Sequence, residues 1–323
     1  MFLPGSFSVA LLMMLLGMVF WGSWANAYKL APGWRFELFY FDYAVSIFLT
    51  CTLASLTMGT LFGSPDFIEN LMHADAAAWA YALAAGVLLN AGNILLMAGI
   101  VLAGMSVAFP VSLGLSLVVS TLFSYIIMPR GDPTLLFLGV GLVFLAVILN
   151  SLAYRTANQS GPAGSRRGLR FCLLSGILFS AFGPLVAKAY STGRPLSPYG
   201  VAVLFTAGAL LSTFPLMRFF MRRPVAGAPL TGADYWRGSA REHWAGLFGG
   251  FIWGMGTVLT FVAAGLVGMA LAGAIGQANP LVAALWGVLV WREFHGAPKR
   301  SQILLMTMFL FYLAGLACLV MSF

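Results

Sequence analysis

Charged residues are scarce in this chain of 323 residues, since Asp, Glu, Lys and Arg together make up 8% of it. Soluble domains contain about 25% charged residues, so the composition excludes a water-soluble enzyme. A disordered scaffold is excluded as well, because it needs abundant charge and few aromatic residues. Apolar residues instead make up 61% of the chain, with a mean hydropathy of +0.94. The expected class is an all-α integral membrane protein.

Cysteine and histidine are also rare, with three residues of each. The cysteines lie in apolar stretches without metal-ligand spacing, and the histidines form no metal-binding pair. A Gly-x-Ser-x-Gly nucleophile elbow and the Gly-Lys-Ser/Thr ending of a phosphate-binding loop are absent. No basic residue precedes the first apolar run, so a cleavable signal peptide is not expected. The sequence predicts no metal, no cofactor and no soluble-type catalysis.

Ten apolar segments are long enough to cross a bilayer, which takes roughly 20 residues. They lie at Phe7–Ala27, Phe39–Thr60, Ala78–Leu102, Ser106–Met128, Leu135–Ala153, Phe171–Tyr190, Tyr199–Phe220, Trp244–Leu266, Met269–Trp291 and Ile303–Met321. Very few residues separate segments 3 and 4, or segments 8 and 9. Each of these pairs is expected to form a tight antiparallel hairpin.

Basic residues divide unequally between the two ends of these segments. All but three of the 17 Lys and Arg residues follow segments 1, 3, 5, 7 and 9, and the exceptions are Arg130, Lys188 and Arg194. The positive-inside rule places these basic connections in the cytoplasm. Both termini are then expected outside, in a multi-pass protein of the cell (inner) membrane. The net charge of +8 follows from this segregation, so no nucleic-acid partner is expected.

Two sets of residues recur along the chain and indicate an internal repeat. Gly17, Phe20 and Lys29 match Gly176, Phe179 and Lys188, and Gly86, Gly92, Gly104, Met105 and Ala108 match Gly250, Gly256, Gly268, Met269 and Ala272. We predict a first five-helix repeat at 1–155, a basic cytoplasmic linker at 156–170 and a second five-helix repeat at 171–323. Five crossings is an odd number, so the second copy is inverted. Inverted repeats are typical of alternating-access transporters, whose site lies near the midplane.

Polar side chains inside the segments are the candidates for a solute site, because they need a partner or a water-filled cavity. Amides offer a donor and an acceptor together, and tryptophan offers a flat stacking wall. The candidate solute-binding residues are Trp24, Asn26, Asn90, Asn93, Phe109, Trp253, Gln277 and Asn279. The alternative is that the amides bond between packed helices.

Proline interrupts three segments, at Phe109-Pro110, Gly183-Pro184 and Asn279-Pro280. Proline removes one helical hydrogen bond and frees a carbonyl, and transporters use such interruptions to line their sites. Because polar side chains adjoin it, Asn279-Pro280 is favoured as a functional break.

The start of the second segment carries acidic residues among aromatic ones. A buried carboxylate can release and regain a proton near neutral pH. The candidate coupling or gating residues are Glu37, Asp42, Tyr40, Lys29 and Lys188. Two alternatives remain open, namely an aromatic belt with an Arg35–Asp42 ion pair and lysines that snorkel to the surface.

Several motifs resemble the drug/metabolite transporter superfamily, in its ureide permease and glucose/ribose porter branch. They are Trp21-Gly-Ser-Trp-Ala-Asn26, Trp34-Arg-Phe-Glu-Leu-Phe-Tyr40 with Asp42-Tyr43, Asn93-Ile-Leu-Leu96, Ala103-Gly-Met-Ser-Val-Ala-Phe-Pro110, Gly131-Asp-Pro133, Gln277, Asn279-Pro280 and Trp291-Arg-Glu-Phe294. The resemblance implies secondary active, proton-coupled uptake of neutral nitrogen-rich heterocycles such as allantoin and uracil, or of sugars. Plant members carry a longer central loop with a nucleotide-binding-like motif that is absent here, so no ATP role is carried over.

The sequence therefore predicts a proton-coupled symporter of ten transmembrane helices for a small neutral polar solute, such as a ureide or nucleobase. Alternatives are a sugar uptake porter, an exporter of drugs or metabolites, and a passive channel. An intramembrane enzyme is disfavoured, because the segments contain acidic and amide groups without a histidine.

Overall fold

The computed structural model describes residues 1–62, 66–103, 108, 110–157, 166–290, 292 and 295–323. Within these residues the chain is helical and contains no strand, which confirms the all-α prediction. In the same residues nine helices are long and apolar enough to cross a membrane, and Val111–Ile127 is a shorter apolar helix. Together they correspond to the ten predicted segments of a multi-pass membrane protein.

The helices follow one another along the chain with short connections. They are α1 (Phe7–Ser23), α2 (Ala25–Tyr28), α3 (Phe36–Thr57), α4 (Phe67–His73), α5 (Ala76–Ala103), α6 (Leu115–Ile127), α7 (Pro133–Ala157), α8 (Arg166–Ala189), α9 (Pro198–Arg222), α10 (Gly232–Trp236), α11 (Ala240–Val267), α12 (Met269–Gly276), α13 (Pro280–Leu285) and α14 (Lys299–Met321). A π-helical turn at Pro110–Gly114 precedes α6, and another at Trp286–Val290 follows α13.

Local sequence explains where α11 begins and ends. Ser239 and Glu242 form a capping box, in which the Ser239 backbone N–H donates to the Glu242 carboxylate at 2.7 Å. Gly268 ends the helix with a φ of +86°, a left-handed conformation that favours glycine. This single residue connects α11 to α12, so the tight turn predicted between segments 8 and 9 is present. The turn predicted between segments 3 and 4 lies outside the described residues.

Helix packing relates the first half of the chain to the second. Segment 6 (α8) packs against segments 3 and 4 (α5 and α6), just as segment 1 (α1) packs against segments 8 and 9 (α11 to α13). Segment 2 (α3) packs against segment 8, just as segment 7 (α9) packs against segment 3. Each contact between two segments therefore has a counterpart between the matching segments of the other half. The exact division at 156–170 stays a prediction.

Gly86 and Gly250 occupy matching positions of the internal repeat, and each allows its helix to lie close to a neighbouring helix. A Cβ on Gly86 would overlap the Phe205 carbonyl oxygen of segment 7, and a Cβ on Gly250 would overlap the Tyr43 carbonyl oxygen of segment 2. Small residues commonly bring helix backbones together in membranes. Equivalent positions of the two halves thus make equivalent contacts.

Candidate functional site

A cavity of about 190 Å³ lies among segments 1, 3, 4, 6, 8 and 9, so both halves of the chain contribute to it. Its walls include five of the predicted solute-binding residues, namely Trp24, Asn93, Trp253, Gln277 and Asn279. Further walls come from residues that the sequence analysis did not select, among them Trp21, Leu89, Ser116, Phe179 and Phe182. The cavity is mostly apolar, with a few polar groups, as small-molecule sites usually are.

A break in segment 9 places two amide side chains on this cavity. Helix α12 ends at Gly276 and α13 begins at Pro280, so Gln277 and Asn279 lie on the turn between them. Within the described part of the chain, no backbone N–H donates to the Gln277 carbonyl. In that same part neither amide side chain has a hydrogen-bond partner. An unsatisfied polar group is costly inside a membrane, so this turn is suited to a polar ligand.

Segment 6 lacks the second of the predicted interruptions. Helix α8 continues through Pro184 to Ala189. Gly183 lies against Ser120 and Ser124 of α6, where a larger residue would overlap the Ser120 hydroxyl. Among the described segments, the break next to a proline is therefore clearest at Asn279-Pro280, where amides adjoin it.

Aromatic rings form one wall of the cavity. The ring centroids of Trp21 and Trp253 lie 5.8 Å apart with their planes inclined by 25°, and Trp253 stacks in turn on Phe205 at 6.3 Å. The Trp21 indole Nε1 donates to the Thr257 hydroxyl at 3.2 Å. Trp21 is the first residue of the motif Trp21-Gly-Ser-Trp-Ala-Asn26. Because it lies three residues before Trp24, the two side chains share a helix face, and this spacing could have identified Trp21 as a wall of the cavity.

Glycines leave room for the Trp21 ring. A Cβ on Gly256 would lie 2.6 Å from Trp21 Cδ1, and a Cβ on Gly276 would lie 2.6 Å from its Cζ3. These glycines come from segments 8 and 9. The ring is therefore held between two helices of the second half while its own helix belongs to the first.

Tyr40 links two of the predicted amides beside the cavity. Its hydroxyl donates to Asn90 Oδ1 at 2.6 Å and accepts from Asn93 Nδ2 at 3.0 Å. Asn90 Nδ2 also donates to the hydroxyls of Ser212 and Thr213, at 2.9 and 3.1 Å. Asn90 is buried, and these bonds join segments 2, 3 and 7. Asn93 lines the cavity, whereas the side chain of Asn90 bonds to Tyr40, Ser212 and Thr213 of neighbouring helices.

Asn26, Phe109, Lys29 and Lys188 are not among the residues that line the cavity. Asn26 Nδ2 donates to the Ser23 carbonyl at 2.9 Å. Phe109 lies outside the described residues. Lys29 and Lys188 are exposed at the ends of segments 1 and 6. Their exposure favours the snorkelling interpretation of these lysines.

Asp42 pairs with a histidine that the sequence analysis did not select. The Asp42 carboxylate is buried, and its Oδ2 lies 2.7 Å from His243 Nδ1. The Tyr235 hydroxyl donates to Asp42 Oδ1 at 2.5 Å. Burial raises the pKa of Tyr235, and its hydrogen bond to Asp42 raises that pKa further, so the phenol stays a donor. Helices α3, α10 and α11 meet at this carboxylate. Because they are far apart in the sequence, no local pattern of residues predicts the contact.

The predicted alternative of an Arg35–Asp42 ion pair is wrong. Arg35 pairs instead with Glu37, through Nη2 to Oε1 at 2.5 Å and Nε to Oε2 at 3.2 Å. Arg35 precedes α3 in extended conformation, and Glu37 occupies the first turn, which brings these two side chains together. The Arg35 Nη1 also donates to the Ala228 carbonyl at 2.6 Å. Arg35 thereby links the start of α3 to the connection between segments 7 and 8.

A second cavity lies beside Phe36, whose ring centroid is 5.0 Å from that of Tyr40. It has a volume of about 310 Å³ and is lined by Arg35, Glu37, Phe36, Ile94 and Met97, among others. Ile94 follows Asn93 on α5, so this helix borders both cavities. A small space of about 10 Å³, lined by Tyr40, Asn90, Asn93 and Trp253 among others, adjoins the first cavity. Tyr40 and its amide partners therefore line the space next to the first cavity.

Comparison with known proteins finds relatives along the whole chain. A model of the ureide permease family matches residues 39–166 and 163–322. Ureide permease 2 of Arabidopsis thaliana is 25% identical over 398 residues, covering 100% of this chain and 99% of that protein. Ureide permease 1 of the same plant is 24% identical, covering 97% of this chain and 96% of that protein.

More distant matches are consistent with these. The probable glucose uptake protein GlcU of Bacillus cereus is 25% identical, over 59% of this chain and 62% of that protein. The crystal structure of another protein has the same fold, with a TM-score of 0.65 and 16% identity over 96% of each chain. Because the family model covers most of the chain, this protein belongs to the ureide permease family.

Proposed function

We propose that this chain is a secondary active transporter that takes up a small neutral ureide or nucleobase together with protons. The observation that carries the proposal is the turn at Gln277 and Asn279, whose two amides face a cavity without partners among the described residues. Ureides and nucleobases present N–H and C=O groups side by side, and amide side chains complement both. Two relatives are named ureide permeases, which supports a ureide as the solute.

The aromatic wall supports a flat solute. Trp21 and Trp253 stand nearly parallel and both line the cavity, so they offer aromatic surface against which a planar heterocycle can pack. Asn93, which donates to the Tyr40 hydroxyl and lines the cavity, offers a third amide to the solute. A solute bound here would contact segments 1, 3, 8 and 9, which belong to both halves.

Transport follows from movement of the halves 1–155 and 171–323 about this cavity. In transporters of inverted repeats, one half rocks against the other around a central site. In this scheme Tyr40 and its amide partners close one side of the cavity and separate when that side opens. Asp42 is the proton carrier in this scheme, because protonating it removes the charge that holds His243 and so loosens segment 2 from segment 8.

Uptake into liposomes tests this function. The purified chain is reconstituted, and uptake of labelled allantoin, uracil and glucose is followed with and without an inward proton gradient. We expect accumulation of allantoin or uracil above the outside concentration, and loss of that accumulation with a protonophore. Equilibration without accumulation indicates a channel, and accumulation only under an outward gradient indicates an exporter. Either result would overturn the proposal.

A sugar porter is the second candidate, because one relative is named a probable glucose uptake protein. Indole faces also stack on sugar rings, so the aromatic wall fits both classes. A thermal-shift screen separates them, since a ligand that binds the folded state raises the melting temperature. Stabilisation by glucose or ribose, with none by allantoin or uracil, would favour the sugar porter.

A further inference from the structure

A groove of about 840 Å³ opens on the surface of the protein at one end of the helix bundle. It lies between α3, α9 and α10. Part of its lining is apolar and comes from Phe41, Val45 and Phe214, and another part carries the guanidinium groups of Arg218 and Arg222. Phe214, Arg218 and Arg222 are spaced four residues apart, so they follow one face of α9 at intervals of about 6 Å.

The two guanidinium groups of this groove lack an acidic partner. Among the described residues, the guanidinium groups of Arg218 and Arg222 form neither an ion pair nor a hydrogen bond. The carboxylate of α10, Asp234, is engaged elsewhere, because the Thr231 N–H and hydroxyl donate to it and Arg237 lies 3.5 Å away. Those contacts hold the pKa of Asp234 below its usual range. The groove therefore presents net positive charge.

The groove crosses the boundary between hydrocarbon and headgroups. Arg222 is the last residue of its membrane-spanning helix, and Phe214 lies two turns further inside with 52% of its surface exposed. Trp236 also lines the groove and is 82% exposed, which is typical of a residue at a membrane interface. Apolar rings at hydrocarbon depth and arginines at headgroup depth are thus part of one continuous surface.

We propose that this groove binds an anionic phospholipid from the leaflet at this end of the bundle. Its phosphate-bearing headgroup lies between Arg218 and Arg222, because guanidinium groups pair with phosphate oxygens in bidentate fashion. One acyl chain covers Phe41, Val45 and Phe214. The bound lipid also contacts Tyr235, which lines the groove and donates to Asp42.

Lipid titration of the purified full-length chain in a neutral detergent tests this site. Phosphatidylglycerol, phosphatidylcholine and free glycerol phosphate are compared by melting temperature and by native mass spectrometry. We expect phosphatidylglycerol to raise the melting temperature and remain bound, and the other two to have little effect. The variant R218Q/R222Q should bind phosphatidylglycerol about thirtyfold more weakly, at roughly 1 kcal/mol for each arginine.

The variant R155Q/R170Q is the matched control. It removes the same charge from two exposed arginines of other helices and should keep the lipid response. The single variants R218Q and R222Q, each expected to lose about fivefold in affinity, provide the same test if the double variant is unstable. An undiminished lipid response in R218Q, R222Q or the double variant overturns the proposal. Equal loss in the control, or an equal response to glycerol phosphate alone, overturns it too.

Discussion

Asp42 and His243 are 201 positions apart in the chain, yet Asp42 Oδ2 lies 2.7 Å from His243 Nδ1. The contact joins α3 to the first turn of α11. Gly246 makes it possible, since a Cβ on that residue would lie 2.6 Å from Asp42 Cβ. The buried carboxylate thus connects helices from the two halves.

Replacing Asp42 with Asn should abolish accumulation driven by a proton gradient. Asparagine keeps the shape of the side chain and much of its hydrogen bonding, but it cannot carry a proton. Exchange between internal and external solute needs no net proton movement and should stay nearly intact. Counterflow and gradient-driven uptake, measured in the same liposomes, distinguish these outcomes.

Glu37→Gln is the comparison for that variant, because Glu37 pairs with Arg35 outside the Asp42 site. We expect it to retain gradient-driven accumulation. Accumulation by Asp42→Asn would contradict the coupling role, and loss in Glu37→Gln alone would move that role one turn along α3. Loss of both accumulation and exchange in Asp42→Asn would indicate a structural role for its contacts.

Replacing Gln277 or Asn93 with Ala should weaken solute binding while leaving the fold intact. Each change removes one or two hydrogen bonds to the solute, at a cost of roughly 1–3 kcal/mol, so apparent affinity should fall about tenfold or more. Gln302→Ala, an exposed glutamine of α14, is the control and should bind normally. Unstable variants that nevertheless bind with unchanged affinity would show that these amides serve packing.

Replacing Tyr40 with Phe should weaken binding less than loss of Asn93 does. Phenylalanine keeps the ring contacts with Phe36 and Tyr43, at 5.0 and 5.3 Å, but removes the hydroxyl that holds Asn93. Loss of about 0.5–1.5 kcal/mol corresponds to a few-fold to tenfold rise in the half-saturating concentration. Tyr81→Phe on α5 is the control. Equal uptake curves for both variants and the unaltered chain would rule out a positioning role.

Replacing Gly86 or Gly250 with Ala should lower the melting temperature of the protein. Each new Cβ meets a backbone carbonyl of a facing helix, and overpacking of this kind costs about 1–3 kcal/mol. Gly141→Ala is the matched control on α7, because nothing lies within 4 Å of its added Cβ. It should be neutral or stabilising by about 0.5–1 kcal/mol. Equal melting temperatures for all three variants would contradict the close helix contacts.

Epitope tags test the predicted orientation. A tag at either terminus should be labelled on intact cells, and a tag in the linker 156–170 should be labelled only after permeabilisation. The reason is the concentration of Lys and Arg in the connections after segments 1, 3, 5, 7 and 9. Labelling of the linker on intact cells would reverse the orientation and place Glu37 outside.

The class of the protein and its ten segments could be predicted from the sequence alone. A bilayer requires about 20 apolar residues for each helix and internal hydrogen bonds for every backbone group, so composition and run length suffice. The helix break was equally visible, because proline at position 280 cannot donate. Repeat positions such as Gly86 and Gly250 were found by spacing, and their contacts are equivalent.

Which polar groups face the cavity was decided by tertiary structure. Asn90 and Asn93 share a face of α5, yet Asn90 bonds to Ser212 and Thr213 of segment 7 while Asn93 lines the cavity. Asp42 likewise contacts His243 and not Arg35, which is much nearer in sequence. A polar side chain in a helix bundle bonds to the polar groups that the neighbouring helix carries at the same position along the bundle axis. That partner depends on helix rotation and close packing at glycines, which no local pattern of residues specifies.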